Sequence, residues 1–138
     1  MNSSDIITPK TVGVISLDGD PRDWPLEERP MIYVAGYFSN NPMHGTANAC
    51  AEAERLLEAG WLPVIPHINI IWDMLAPKTP DFWYRYDIAL LRRCDALYVC
   101  PGVLSEHSKG VNEEIIEARE CDMPVFYEII EAKDRYLE

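Results

Sequence analysis

Basic residues are scarce in this chain. Twelve Lys and Arg stand against 23 Asp and Glu over 138 residues, a formal charge of −11 at pH 7. A nucleic-acid-binding surface needs a basic patch, so that class is disfavoured, as is an anionic membrane surface. Small anions are not excluded, because a helix N-terminus can hold them without Lys or Arg. Long apolar runs are missing too, and none approaches the roughly 20 residues of a membrane span. No basic-then-apolar leader opens the chain. The four cysteines, Cys50, Cys94, Cys100 and Cys121, form no C-x-x-C pair, and we expect them reduced in a cytoplasmic protein. The histidines, His44, His67 and His107, share no metal-ligand spacing with a cysteine or carboxylate, so no metal site is expected. A Walker motif is absent. Gly36 belongs to no G-x-G-x-x-G, which leaves nucleotide motors and Rossmann dehydrogenases poorly supported.

What is present suits a single globular domain with a real core: 48% of the residues are hydrophobic. Residues 1–30 read as an N-terminal arm or leader. Their start is polar, TVGVISL (Thr11 to Leu17) has the composition of one short strand, and Asp18 to Pro30 is rich in proline and charge. A flexible leader is favoured over an arm docked on the domain or on a neighbouring subunit. Residues 31–138 read as an α/β domain. Met31 to Ala35 is an apolar run ending at Gly36, as in a buried parallel strand. A loop follows, then a helix from about Thr46 to Ala59 closed by Gly60. Trp61 to Ile65 is a second strand and Pro66 to Trp72 a long apolar loop. Thr79 before Pro80 opens a helix that runs to about Arg93. Asp95 to Cys100 and Met123 to Tyr127 are the third and fourth strands, and Ile129 to Leu137 a terminal helix. Strands alternating with helices predict a parallel sheet in an α/β fold.

Between the third and fourth strands lies SKGVNEEIIEA, Ser108 to Ala118. Ser108 is a good N-cap, and Gly110 removes a side chain where something must come close. At about 100° per residue, Val111, Ile115 and Ala118 form one apolar stripe. Glu113, Glu117 and Glu120 point away from it, into water. Glu114 falls at the stripe's edge between Gly110 and Ala118, either as a boundary acid that reaches solvent or as an acid with room for a ligand above it. In open parallel sheets ligands bind beyond the carboxyl ends of the strands. That rule gathers Gly36 to Asn41, Pro66 to Trp72, Pro101 to Ser108 and the tail after Tyr127 around one cleft. Tyr37, Phe38, Trp72, Trp83 and Tyr84 lie in or near those segments. An aromatic cleft with a few acids suits a flat, mostly neutral ring such as a nucleobase.

IYVAGYFS (Ile32 to Ser39), Asp87, Asp95-Ala96 in CDALYV, and Ser108-x-Gly110-x-x-x-Glu114-x-x-x-Ala118 together resemble the nucleoside 2-deoxyribosyltransferase superfamily. That group includes nucleoside transferases and 2′-deoxynucleoside 5′-monophosphate N-glycosidases. The resemblance spans about residues 32–127. It implies a flavodoxin-like or Rossmann-like three-layer sandwich with a mostly parallel sheet of four to five strands. It also implies a glutamate nucleophile at Glu114, no cofactor, and a homo-oligomer in which a neighbour completes the site. Glu114 would attack C1′ of the sugar and expel the base, and the glycosyl ester would pass to another base or to water. A carboxylate suits this chemistry because it stabilises an oxocarbenium-like transition state and then traps it. Asp87 matches an aspartate near base and sugar, with a general-acid or orienting duty. Tyr33 and Gly36 match site-lining positions of the first strand, and Tyr37 and Phe38 are candidates for stacking on the base. Asp95 is expected to begin its strand structurally.

Where the nucleoside transferases often carry an aspartate for the sugar's 5′-hydroxyl, this chain carries Ser108, as the monophosphate glycosidases do. A serine beside Gly110 at a helix N-terminus accepts a phosphate that an aspartate would repel, with Lys109 adjacent. A 5′-monophosphate substrate, or at least tolerance of one, is therefore expected. Two alternatives are a non-catalytic nucleotide-binding or sensing module on the same fold, and a glycosidase for another N-ribosyl compound.

Overall fold

The computed structural model describes residues 19–37, 41–102, 108–130 and 132. Four strands, β1 (Met31–Ala35), β2 (Leu62–Val64), β3 (Ala96–Val99) and β4 (Val125–Phe126), form one sheet in the order β2-β1-β3-β4. Every pairing is parallel. Four helices accompany it among the described residues: α1 (Pro42–Glu58), α2 (Asn69–Leu75), α3 (Pro80–Leu91) and α4 (Lys109–Glu120). Alternate residues of the central strands face opposite layers, as the period-2 pleat requires. Ile32 and Val34 pack with Ala96 and Tyr98 against Ala49, Ala53 and Leu56 of α1. Tyr33 and Ala35 pack with Leu97 and Val99 against α3 and α4. The result is the expected α/β three-layer fold. Asp95 ties its strands together: its N–H donates to Met31 O at 2.8 Å, and its Oδ2 accepts from Met31 N at 2.8 Å.

Three sequence expectations need correction. Helix α1 begins at Pro42 rather than Thr46, because Asn41 caps it by accepting from His44 N and proline suits the first helical position. The stretch from Pro66 is not a loop: it makes a 3-10 turn, Pro66–Ile68, and then α2. The proposed arm ending at residue 30 is not separate from the domain over its described part. Trp24, only 4% exposed, joins the α1 layer of the core. Buried Arg29 donates to the carbonyls of Pro21, Arg22, Trp24, Leu57 and Trp61, which clamps residues 21–29 onto the end of α1. Gly60 completes that junction at φ +98°, where an added Cβ would sit 2.7 Å from the Trp24 ring. Residues 11–17, expected as a strand, lie outside the described residues, as do most of those expected to form the terminal helix. Ile129 and Ile130 pack on the α1 layer, and the Trp61 indole donates to Ile130 O at 2.7 Å.

Candidate functional site

The sheet order reverses direction between β1 and β3, and the crevice outside their carboxyl ends is where such sheets bind ligands. A cleft of ≈ 670 Å³ lies there. Gly36, Pro42, the turn and helix α2 after β2, the stretch from Lys78 into α3 and the first turns of α4 enclose it. Five of the expected residues line it: Gly36, Asp87, Ser108, Gly110 and Glu114. Gly36 is needed for packing, since a Cβ there would meet Cys100 Sγ at 3.2 Å. Gly110 is different. An added Cβ would meet nothing nearer than Ser108 Oγ at 3.9 Å, so its lack of a side chain keeps the cleft open above α4. Ser108 caps α4 by accepting from Val111 N at 3.3 Å, and the first turn of α4 carries no acid.

Glu114 is the centre of this arrangement. It sits one turn beyond Gly110, partly buried, and its Oε2 accepts a 2.5 Å hydrogen bond from the Tyr33 hydroxyl. Tyr33 is fully buried in β1 and stands behind the carboxylate rather than on the cleft wall. Burial pushes the Glu114 carboxyl up from 4.5 to about 8, opposed by the Tyr33 bond and reinforced by the charges of Asp87 and Glu113. Burial also lifts Asp87 to about 7. Its Oδ1 is fully buried and has no hydrogen-bond partner among the described residues. Two carboxyls that both titrate near neutrality on one cleft wall are suited to exchanging protons with a ligand.

The remaining expected residues lie elsewhere. Tyr37 is absent from the cleft wall, its ring 6.0 Å from that of His44. Phe38 lies outside the described residues. Tyr84 is exposed, near Glu113 on α4. Glu117, expected to point into water, is 15% exposed and accepts from Arg92 at 2.6 Å, pinning α4 to the end of α3. The stretch from Pro66 does line the cleft, through Pro66, His67, Asn69 and Ile70, but sequence reasoning singled out none of these side chains and missed Asp73 and Lys78. Buried His67 is held neutral chiefly by desolvation and donates from Nε2 to Gly36 O at 3.0 Å. Asp73 Oδ1 accepts from Lys78 N at 2.9 Å and from the Trp83 indole at 2.7 Å. Asp73 and Lys78 lie just past the Pro66 to Trp72 stretch, where helix α2 carries the chain on along the cleft.

All four cysteines are free thiols. Among the described residues no helix is long and apolar enough to cross a membrane. The chain matches no protein-family model, no curated protein and no solved structure.

Proposed function

We propose that this chain cleaves or exchanges the N-glycosidic bond of a (deoxy)nucleoside or its 5′-monophosphate, as its motif resemblance to the nucleoside 2-deoxyribosyltransferase superfamily implies. One observation carries the reading: a carboxylate, Glu114, fixed by the buried Tyr33 hydroxyl at 2.5 Å and set in a cleft wall with Asp87. Ionised Glu114 forms a bond from its free oxygen to C1′. The C1′–N bond breaks, its electron pair passes to the base, and protonated Asp87 supplies the proton the base needs to leave. Water or a second base then takes the sugar from the ester. The acid-free first turn of α4, with Ser108 as its cap, suits the 5′-phosphate.

The decisive experiment is base release by chromatography. Wild type and Glu114→Ala are incubated with deoxynucleosides and their 5′-monophosphates, with and without a second free base. Release by wild type alone supports the reading, and acceptor dependence makes the protein a transferase. No release from any substrate refutes it.

A second reading is a non-catalytic nucleotide-binding module, favoured by one observation. With its carboxyl pushed up to about 8, Glu114 carries a proton at neutral pH in the ligand-free protein and is a donor rather than a nucleophile. That reading expects Glu114→Gln to keep full ligand affinity and wild type to release no base.

The proposal includes a homo-oligomer. Helix α2, Asn-Ile-Ile-Trp-Asp-Met-Leu, buries none of its residues in its own chain. Ile71, Met74 and Leu75 are 59%, 71% and 82% exposed, an apolar face that a second copy would cover.

A further inference from the structure

The N-termini of all four helices reach the cleft, through Pro42, Asn69, Pro80 and Ser108. The first turns of α1 and α4 have no acid. The first turn of α3 carries Asp81, and Asp73 of α2 lies on the cleft wall beside it. A phosphate dianion is therefore better placed on the α1 or α4 side, which leaves the α2–α3 wall to the other end of a bound nucleotide.

That wall carries one aromatic ring, braced by three others. Trp83 lines it, and its indole N–H is fixed by Asp73 at 2.7 Å. The same carboxylate oxygen holds the backbone of Lys78 at 2.9 Å, so indole and lysine share one anchor. Lys78 is the one Lys or Arg lining the cleft among the described residues. Its ammonium stands 5.6 Å from the Trp72 ring centre and 5.3 Å from that of Phe82. No carboxylate of the described residues pairs with it. Two aromatic faces steady the charge without using its hydrogen-bond donors. The charge of Lys78 is felt by Asp73, but no described carboxylate of the cleft takes its ammonium in an ion pair, which leaves its donors for an acceptor on the ligand.

We propose that Lys78, anchored with Trp83 by Asp73, reads the base, and that it selects 6-oxopurines over 6-aminopurines. This rests on the nucleotide reading of the cleft given above. The chemistry of the two edges decides the preference. A 6-oxopurine offers O6 and N7, two acceptors side by side, to an ammonium. Adenine offers N7 beside an amino donor, which repels it. A hydrogen bond to a charged group sets the preference at roughly tenfold to a hundredfold in affinity.

The test is calorimetric titration of the full chain in a Glu114→Ala background, where turnover is blocked. Three probes are used: 2′-deoxyinosine 5′-monophosphate, 2′-deoxyadenosine 5′-monophosphate and base-free deoxyribose 5-phosphate. Each is titrated with Lys78 present, with Lys78→Met, which keeps an aliphatic stem against the rings, and with Lys78→Arg, which keeps the charge. Thermal melts confirm that every variant folds. The expected result is a preference for the inosine nucleotide that collapses to within about twofold in Lys78→Met and persists in Lys78→Arg, with deoxyribose 5-phosphate binding unchanged throughout. A preference that survives Lys78→Met overturns the proposal, as does no preference at the start. Loss of deoxyribose 5-phosphate affinity in Lys78→Met overturns it in favour of a phosphate contact. Binding of the sugar phosphate without either purine nucleotide overturns it while leaving the site. Failure of all three probes brings down the nucleotide reading itself.

Discussion

Replacing Glu114 with glutamine tests the electrostatics of the site without any substrate. In the folded chain the Glu114 carboxyl is raised from 4.5 to about 8, with burial the largest cause. A raised carboxyl destabilises when it ionises. Between pH 4.5 and 8 the folded protein still holds a proton that the unfolded chain has released, so stability falls as pH rises across that window. Below pH 4.5 both states are protonated and the group contributes nothing. Above pH 8 the full penalty applies, about 5 kcal/mol at 1.36 kcal/mol per pH unit. Glutamine has similar shape, keeps an oxygen to accept from the Tyr33 hydroxyl, and does not ionise. Urea unfolding of both proteins, from pH 5 to pH 9, therefore gives two curves that separate as pH rises. The variant gains on wild type by about 1 kcal/mol per pH unit within the window and by nothing more above it. The comparison uses the change in the gap, so any constant effect of the substitution cancels. A gap that stays constant or narrows with rising pH refutes the reasoning, because it means the carboxylate is solvated or paired.

Three further substitutions probe other parts of the site. Tyr33→Phe removes the hydroxyl that favours ionised Glu114, a charged hydrogen bond of about 1.5–3 kcal/mol. The rise of kcat/KM with pH shifts upward by roughly one to two pH units, with recovery in alkali, and a loss independent of pH would show another role for the hydroxyl. Ser108→Asp places a carboxylate at the start of α4, so the ratio of monophosphate to nucleoside kcat/KM falls at least tenfold, by our estimate of one close charge repulsion. An unchanged ratio removes the phosphate from that helix. Leu75→Asp puts a charge on the most exposed apolar residue of α2. Sedimentation velocity should show wild type as an oligomer and the variant as a smaller species, and a monomeric wild type ends the proposal of a covering copy.

The local signals that sequence reasoning used well were those with a mechanism at one or two residues. Thr79-Pro80 and Ser108 mark helix starts because cap hydroxyls and proline act locally, and both caps are made. The apolar runs at Met31 and Ala96 become central strands because both faces of a parallel sheet are covered. Glu114 at the edge of the α4 stripe is legible from its angle, since Val111 and Ala118 are buried on either side of it. The same angular reading failed for Glu117. Its direction away from the stripe is right, but Arg92 arrives from α3, and a neighbour on another element leaves no trace in the periodicity of α4. Arg29 was lost for a similar reason. A charged residue among prolines looks like linker chemistry, and its five carbonyl acceptors come from three separate places in the chain. Helix α2 was missed because its seven residues are shorter than the window of roughly 11 in which a helical period stands out.

The raised titration of the two carboxyls has a consequence for how the proposed reaction begins. The mechanism needs Glu114 ionised and Asp87 protonated, and burial lifts both carboxyls toward neutrality. Near pH 7 the ligand-free pair therefore shares its protons, and neither residue is committed to its role. A bound nucleotide can commit them in two ways. A base nitrogen or oxygen that accepts from Asp87 Oδ1, which has no partner of its own, stabilises the protonated aspartic acid. The sugar carbon, as it gains positive charge, stabilises the glutamate anion and adds to the pull of the Tyr33 hydroxyl. Both effects act on groups that the free protein leaves uncommitted, so part of the binding energy is used to fix where one proton sits. Poor substrates that fill the cleft without reaching Asp87 should then bind and not react. This also connects the two proposed readings of the site: on either one a nucleotide binds first, and the proposal makes cleavage depend on the contact at Asp87.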